Sequence, residues 1–170
     1  PLIKCFKKNS LIKTRVVVTG QHKEMVEQVM SIFELECDIN LDTMDKSNGL
    51  KDLTVQVMNG LTKDFEVHPP DLVIVQGDTS TAFTAALAAF YHRIPLGHVE
   101  AGLRTNNINT PFPEEFNRRT LSLIANHNFC PTKNSKKNLI NEGIHPKKIS
   151  VVGNTVVDSV KFIKKQIKNT

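Results

Sequence analysis

Apolar residues in this chain follow two alternating rhythms. Short continuous runs, Arg15-Val16-Val17-Val18-Thr19, Leu72-Val73-Ile74-Val75, Pro95 to Val99, Asn128-Phe129-Cys130 and Ile149 to Val152, read as buried strands. A shorter extended piece falls near Cys37 to Leu41. Between them the apolar positions recur at helical spacing. Met25, Val29, Met30 and Phe33 form one such face, and Leu50, Leu53, Val57, Leu61 and Phe65 another, which Pro69-Pro70 ends. Further helices are predicted over about Thr81 to His92, from Pro113 to about Asn126, from about Lys133 to a cap at Gly143, and over about Val156 to Ile167. Pro1 to Lys8 reads as the last turns of an amphipathic helix. Alternating elements with continuous apolar strands predict an α/β fold: a doubly wound parallel sheet, covered by helices on both faces, in one domain over residues 1–170.

Composition narrows this only a little. With 39% hydrophobic and 23% charged residues the chain is that of an ordinary globular protein. The longest apolar run, around Ala82 to Tyr91, is far short of the ~20 residues of a membrane helix, so no membrane association is expected. Cys5, Cys37 and Cys130 are odd in number and lack C-x-x-C spacing, which fits a reducing cytoplasm and neither a disulfide framework nor a zinc site. The net charge of +5 raises nucleic acid as a partner, but many of the lysines, such as Lys133, Lys136 and Lys137, are spaced along predicted helices without interleaved aromatics. No nucleic-acid partner is expected.

The candidate chemistry is acidic. Asp78 follows a strand and opens a helix, where an aspartate also serves simply as a cap or turn residue. Glu100 ends the run Gly97-His98-Val99, and strand ends of this kind face the ligand crevice of open α/β sheets. Glu114 and Arg118 stand four apart on a predicted helix, as do Glu115 and Arg119 one step round, and spacing alone does not choose between a functional pair and a surface ion pair. His22 and His98 have no neighbour at metal-ligand spacing, and His98 is expected to share the side of Glu100. Gly20-Gln21-His22 lacks the further glycines of a dinucleotide fingerprint, and no G-x-S-x-G elbow is present.

In order along the chain, Val18-Thr19-Gly20-Gln21-His22-Lys23-Glu24-Met25, Gln76-Gly77-Asp78-Thr79, Ala88-Ala89-Phe90-Tyr91, Ile94 to Thr105, Pro111-Phe112-Pro113-Glu114-Glu115 with Asn117-Arg118, Pro131-Thr132, Asn138-Leu139 with Glu142-Gly143, and Val152 to Asp158 resemble the non-hydrolysing UDP-N-acetylglucosamine 2-epimerases. Each motif is modest, and the ordered set is specific. The resemblance implies a Rossmann-like domain, one of two in a glycosyltransferase-B-like architecture. It implies interconversion of UDP-N-acetylglucosamine and UDP-N-acetylmannosamine by UDP elimination and re-addition, for cell-surface polysaccharide precursors, without metal or redox cofactor. The family's essential acids fall on Asp78, Glu100 and Glu114 and its arginine on Arg118, which selects that pair over Glu115 and Arg119. Gln21, His22 and Arg104 fall in its substrate or allosteric pocket, while an Arg-Gln pair of the allosteric site falls on Ser47-Asn48. The full-length enzyme is expected to be a cytoplasmic homodimer with a UDP-sugar as its partner.

The same resemblance puts the family's first strand before Pro1 and its second domain after Thr170, so the 170 residues alone are expected to be inactive. In the order 3-2-1-4-5-6, residues 15–19 are then the second strand and 72–76 the fourth. Residues 16–18 are expected either to pair directly with 72–75 or to face an empty slot. The alternatives are an epimerase of another UDP-2-acetamido sugar, a non-catalytic truncated remnant, or, with less support from the Glu100, Glu114 and Arg118 set, a glycosyltransferase acceptor domain.

Overall fold

The alternation read from the sequence is present along the chain. A computed structural model describes residues 1–20, 23–42 and 49–168. In chain order the elements are α1 (Leu2–Lys7), β1 (Val17–Val18), α2 (Lys23–Ile32), β2 (Ile39–Asn40), α3 (Leu50–Val67), β3 (Val73–Gln76), α4 (Ser80–Tyr91), β4 (Leu96–Val99), α5 (Glu114–Ile124), β5 (His127–Cys130), α6 (Lys133–Asn141), a 3-10 turn (Pro146–Lys148), β6 (Ile149–Val151) and α7 (Thr155–Lys168). They group into two compact units, residues 47–153 and residues 1–46 with 154–170.

In the unit of residues 47–153, β3, β4, β5 and β6 lie side by side in that order, all parallel. Parallel neighbours need crossovers, and α4, α5 and α6 supply them. Leu53, Val57, Leu61 and Phe65 of α3 are buried, as their spacing predicts, and α3 packs on α4. Val75, Ala82, Ala86, Leu96, Leu121 and Ala125 form one buried cluster; Ala101, Cys130, Leu139 and Ile149 form a second beneath α6. All four residues of β4 are buried, whereas β5 alternates between buried Asn128 and Cys130 and half-buried His127 and Phe129. Coverage of the two faces is therefore less even than the continuous apolar runs imply.

Helix ends follow local chemistry. Thr79 caps α4, its hydroxyl accepting from the Ala82 amide at 3.2 Å. Helix α5 stops two residues earlier than the pattern predicts because Asn126 is claimed by β4. Its amide donates to the Leu96 carbonyl and its side-chain oxygen accepts from the Leu96 amide, both at 2.9 Å. Gly102 has φ +88°, and a Cβ there would lie 2.3 Å from the Ser135 carbonyl oxygen, so glycine lets the segment after β4 lie directly on α6. Asn138 Nδ2 fastens the same contact by donating to the Gly102 carbonyl at 2.9 Å.

In the other unit, β1 and β2 pair in parallel, Val17 with Ile39 and Val18 with Asn40. Val16 adds a bond outside the ladder by donating its amide to Asp38 Oδ2 at 2.7 Å. Of the run 15–19, only Val17 and Val18 are ladder residues, because β2 offers only two partners. Phe33 stacks on Phe162 of α7 at 5.0 Å, and the Lys4 ammonium stands 4.4 Å over the same ring. Among the described residues β1 has β2 as its ladder partner, and residues 1–14 contribute a helix and no strand.

Candidate active site

Asp78, Glu100, Glu114 and Glu115 all sit where a strand gives way to the next segment or where a helix begins. Gln76 ends β3, and Gly77 turns the chain at φ +76°. The cap of α4 is Thr79 and not Asp78, which removes the ordinary reading of Asp78 as the cap. Glu100 follows β4 directly with φ +68°, a left-handed conformation that costs a residue with a Cβ roughly 1–3 kcal/mol and that surrounding structure must hold. One Glu100 carboxylate oxygen comes within 3.9 Å of where a Cβ on Gly77 would stand. The parallel register, Gln76 opposite Val99, is what brings these two strand ends together.

Helix α5 supplies the rest. Pro113 takes the cap position and Glu114 and Glu115 the first turn, where the helix dipole favours negative charge. Arg118, with its side chain 11% exposed, places Nη1 3.4 Å from Asp78 Oδ2. Its Nε lies 2.9 Å from Glu115 Oε2, an ion pair without the angle of a hydrogen bond. Asn117 Nδ2 donates to the Asp78 backbone carbonyl at 2.9 Å, tying the turn to the helix. Burial raises the Asp78 pKa above the usual carboxylate range; Arg118 opposes this, and the charges of Glu114 and Glu100 add to it. Asp78, Glu100, Glu114 and Arg118 are thus one electrostatic cluster. Carboxylates gathered around one guanidinium are the kind of arrangement proton transfer uses.

Neither i,i+4 pair of the sequence is the one α5 uses. Arg118 pairs with Glu115 at i,i+3 and reaches across to Asp78, while Arg119 Nη2 lies 3.7 Å from Glu142 Oε1. Glu115, left aside in the sequence reading, is fully buried, and its Oε2 also accepts from the Thr105 amide at 3.1 Å. The three-residue spacing to Arg118 was the available signal, but burial was not visible in it.

His98 and Glu100 both approach Gly77, although Glu100 leaves the strand in a left-handed turn. His98 is fully buried, and its Nε2 lies 2.9 Å from the Gly77 carbonyl. A carbonyl only accepts, so Nε2 carries the proton. Burial lowers its pKa to about 4 against the Gly77 contact, with Arg104 lowering it further, and the ring is neutral near pH 7. His98 braces the Gly77-Asp78 turn from below. Arg104 is engaged by Glu142 in a bidentate pair, both contacts 2.8 Å, with its side chain 2% exposed. That pair, chiefly by its hydrogen bonds, lowers the Glu142 pKa. Gln21, His22, Ser47 and Asn48 lie outside the described residues. In the unit that contains β1 and β2, a cavity of about 440 Å³ opens beside Val18, Gly20, Met30, Cys37 and Asn40. Among the described residues no group of three or more His, Cys, Asp or Glu side chains is placed to hold a metal ion, and no helix is long and apolar enough to cross a membrane.

Comparison with known proteins agrees in sequence and in fold. The family profile described as UDP-N-acetylglucosamine 2-epimerase matches residues 4–170. A UDP-N-acetylglucosamine 2-epimerase from Yersinia pestis is 43% identical over 170 residues, which is 100% of this chain and 45% of that protein. The crystal structure of UDP-GlcNAc 2-epimerase from Neisseria meningitidis bound to UDP-GlcNAc superposes with a TM-score of 0.96 at 44% identity, covering 100% of this chain and 46% of that one. The Methanocaldococcus jannaschii enzyme in complex with UDP-GlcNAc and UDP gives a TM-score of 0.87 at 36% identity, over 93% of this chain and 43% of that one. The chain spans slightly less than half the length of these relatives.

Proposed function

Because the chain belongs to the UDP-N-acetylglucosamine 2-epimerase family, we propose that its acid cluster carries out the proton transfers of 2-epimerisation on a UDP-linked 2-acetamido sugar, UDP-N-acetylglucosamine being the substrate. The observation that carries this is the mutual electrostatic influence of Asp78, Glu100 and Glu114 around the single guanidinium of Arg118.

The chemistry asks for such a cluster. C2–H is a weak acid, and its removal must be coupled to loss of UDP from C1. A carboxylate takes the C2 proton, the electron pair forms the C1=C2 bond, and the C1–O bond breaks with its electrons leaving on UDP. For return, a UDP oxygen attacks C1 and a carboxylic acid delivers a proton to the opposite face of C2. One acid must begin ionised and another protonated, on either side of the ring. Burial raises the Asp78 pKa and the charges of Glu114 and Glu100 add to it, so Asp78 is the acid of the cluster most inclined to take up a proton. Arg118 limits the repulsion among them and offers a positive charge to an anionic intermediate.

The same reading makes residues 1–170 one Rossmann-like domain of a two-domain enzyme and places the sugar nucleotide between the domains. It makes the whole enzyme a cytoplasmic homodimer that supplies precursors of surface polysaccharide, and leaves the 170 residues inactive alone. The test is turnover of UDP-N-acetylglucosamine by the full-length gene product in deuterated water. UDP-N-acetylmannosamine carrying deuterium at C2 is the expected product. Product that keeps its C2 proton, or no product, defeats the reading.

A further inference from the structure

Glu115 is the one acid of this region that the catalytic reading leaves without a task. It is fully buried in the first turn of α5, directly after Glu114. A carboxylate in such a place is held only where donors compensate its lost hydration. Its Oε2 meets one hydrogen-bond donor and one cation, on different segments. The Thr105 amide, 3.1 Å away, belongs to the stretch that follows Glu100. The Arg118 Nε, 2.9 Å away, is an ion-pair contact without hydrogen-bond geometry, and it belongs to the guanidinium whose Nη1 faces Asp78 Oδ2 at 3.4 Å. Thr105 in turn donates its hydroxyl to the Thr110 carbonyl at 2.5 Å, closing the loop that leads into α5. One carboxylate oxygen therefore stands at the junction of the three segments that carry Asp78, Glu100 and Glu114.

We propose that Glu115 is the positioning residue of the acid cluster: its buried carboxylate fixes the Arg118 guanidinium against Asp78 and anchors to α5 the segment that follows Glu100. The guanidinium is a rigid planar fork, so holding Nε sets the direction of Nη1. Without the Glu115 charge, Arg118 keeps its position in sequence but loses the contact that orients it, and its contact with Asp78 loosens. Glu115 meets no reacting atom in this scheme. Its kinetic consequence rests on the epimerase reading; its effect on Arg118 and Asp78 does not.

Glu115→Gln is the discriminating variant, since it keeps the shape and an oxygen for the Thr105 amide and removes only the charge. Carbon-13 NMR of this chain follows the titration of the Asp78 carboxyl, which faces Arg118, Glu114 and Glu100. The variant is expected to titrate at higher pH than the wild type, because less of the Arg118 charge reaches Asp78; an unchanged Asp78 titration, or a lowered one in which loss of the Glu115 charge merely frees Arg118 for Asp78, overturns the proposal. A second measurement needs no variant. The Arg118 Nε–H of the wild type is expected to exchange with solvent much more slowly than that of the more exposed Arg119, and equal exchange rates overturn it as well. In the full-length enzyme, Glu115→Gln is expected to lower kcat about 100-fold with KM nearly unchanged, the signature of misplacement in the transition state alone. A wild-type enzyme without epimerase activity would sink the catalytic reading and leave the NMR test standing. An active wild type with an equally active Glu115→Gln variant would sink the positioning role by itself.

Discussion

Two charged clusters lie in the unit of residues 47–153, and they are built on opposite principles. Around Glu142, two arginines meet one carboxylate: Arg104 takes both oxygens at 2.8 Å with its side chain 2% exposed, and Arg119 stands at 3.7 Å. Around Asp78, four acids share one arginine, the backbone at Glu100 is left-handed, and the Asp78 pKa is raised where that of Glu142 is lowered. The first cluster satisfies its charges and stores nothing. The second keeps negative charges close together on a strained turn, which is costly in a fold and useful in a reaction. Sites that break local rules are where function is expected.

Substitutions are expected to separate the two clusters cleanly. The largest effect falls on turnover: in the full-length enzyme, Glu100→Gln or Asp78→Asn is expected to lower kcat at least ~100-fold, with a melting temperature near that of wild type. Loss of folding in place of rate would erase the distinction. Removing Arg104 is expected to do the reverse. Glu142 is left half-buried without its fork, and breaking buried pairs costs about 3–5 kcal/mol; with Glu142 26% exposed the lower end applies. Denaturant midpoints of Arg104→Ala measure this, and an unchanged midpoint contradicts it.

Acid sharpens the comparison further. The folded His98 pKa of about 4 lies below its unfolded value of 6.5, so the unfolded chain binds the proton first. The stability held by the neutral ring is full above pH 6.5 and is lost as pH falls through 4, roughly 3 kcal/mol in all. Urea titrations of wild type and His98→Asn across that window check it: the asparagine variant is expected to show a flatter dependence. The smallest effect belongs to Arg119, 41% exposed and 3.7 Å from its partner. Arg119→Ala is expected to change stability by less than ~1 kcal/mol, and a larger loss in the same denaturant assay would move it into the buried pair.

Much of this was legible before any coordinates. The period-4 positions of α3, the strand before Gly77 and the strand before Glu100 sit where the pattern places them, because their neighbours in sequence are also their solvent environment. Asp78 and Glu100 could be singled out because strand ends are local features, whereas Glu114 was set above Glu115 only by the family resemblance. What the sequence could not show is whatever depends on a distant partner. Glu115 and Glu114 are adjacent and chemically the same, and only packing against Thr105 and Arg118 buries one of them fully. That Arg104 pairs with Glu142, far along the chain, is equally invisible in the sequence. The left-handed turn at Glu100 was likewise not visible in the period-2 pattern.

The division of the chain has a consequence for how it is made. Residues 47–153 are consecutive, so the four-stranded sheet and its helices can close as soon as β6 has left the ribosome, in keeping with domains folding as units during synthesis. Residues 1–46 are translated before them and yet cannot finish first. The ring partner of Phe33 is Phe162, and Lys4 rests on that same ring. This earlier part of the chain must wait, with Phe33 uncovered, until α7 arrives.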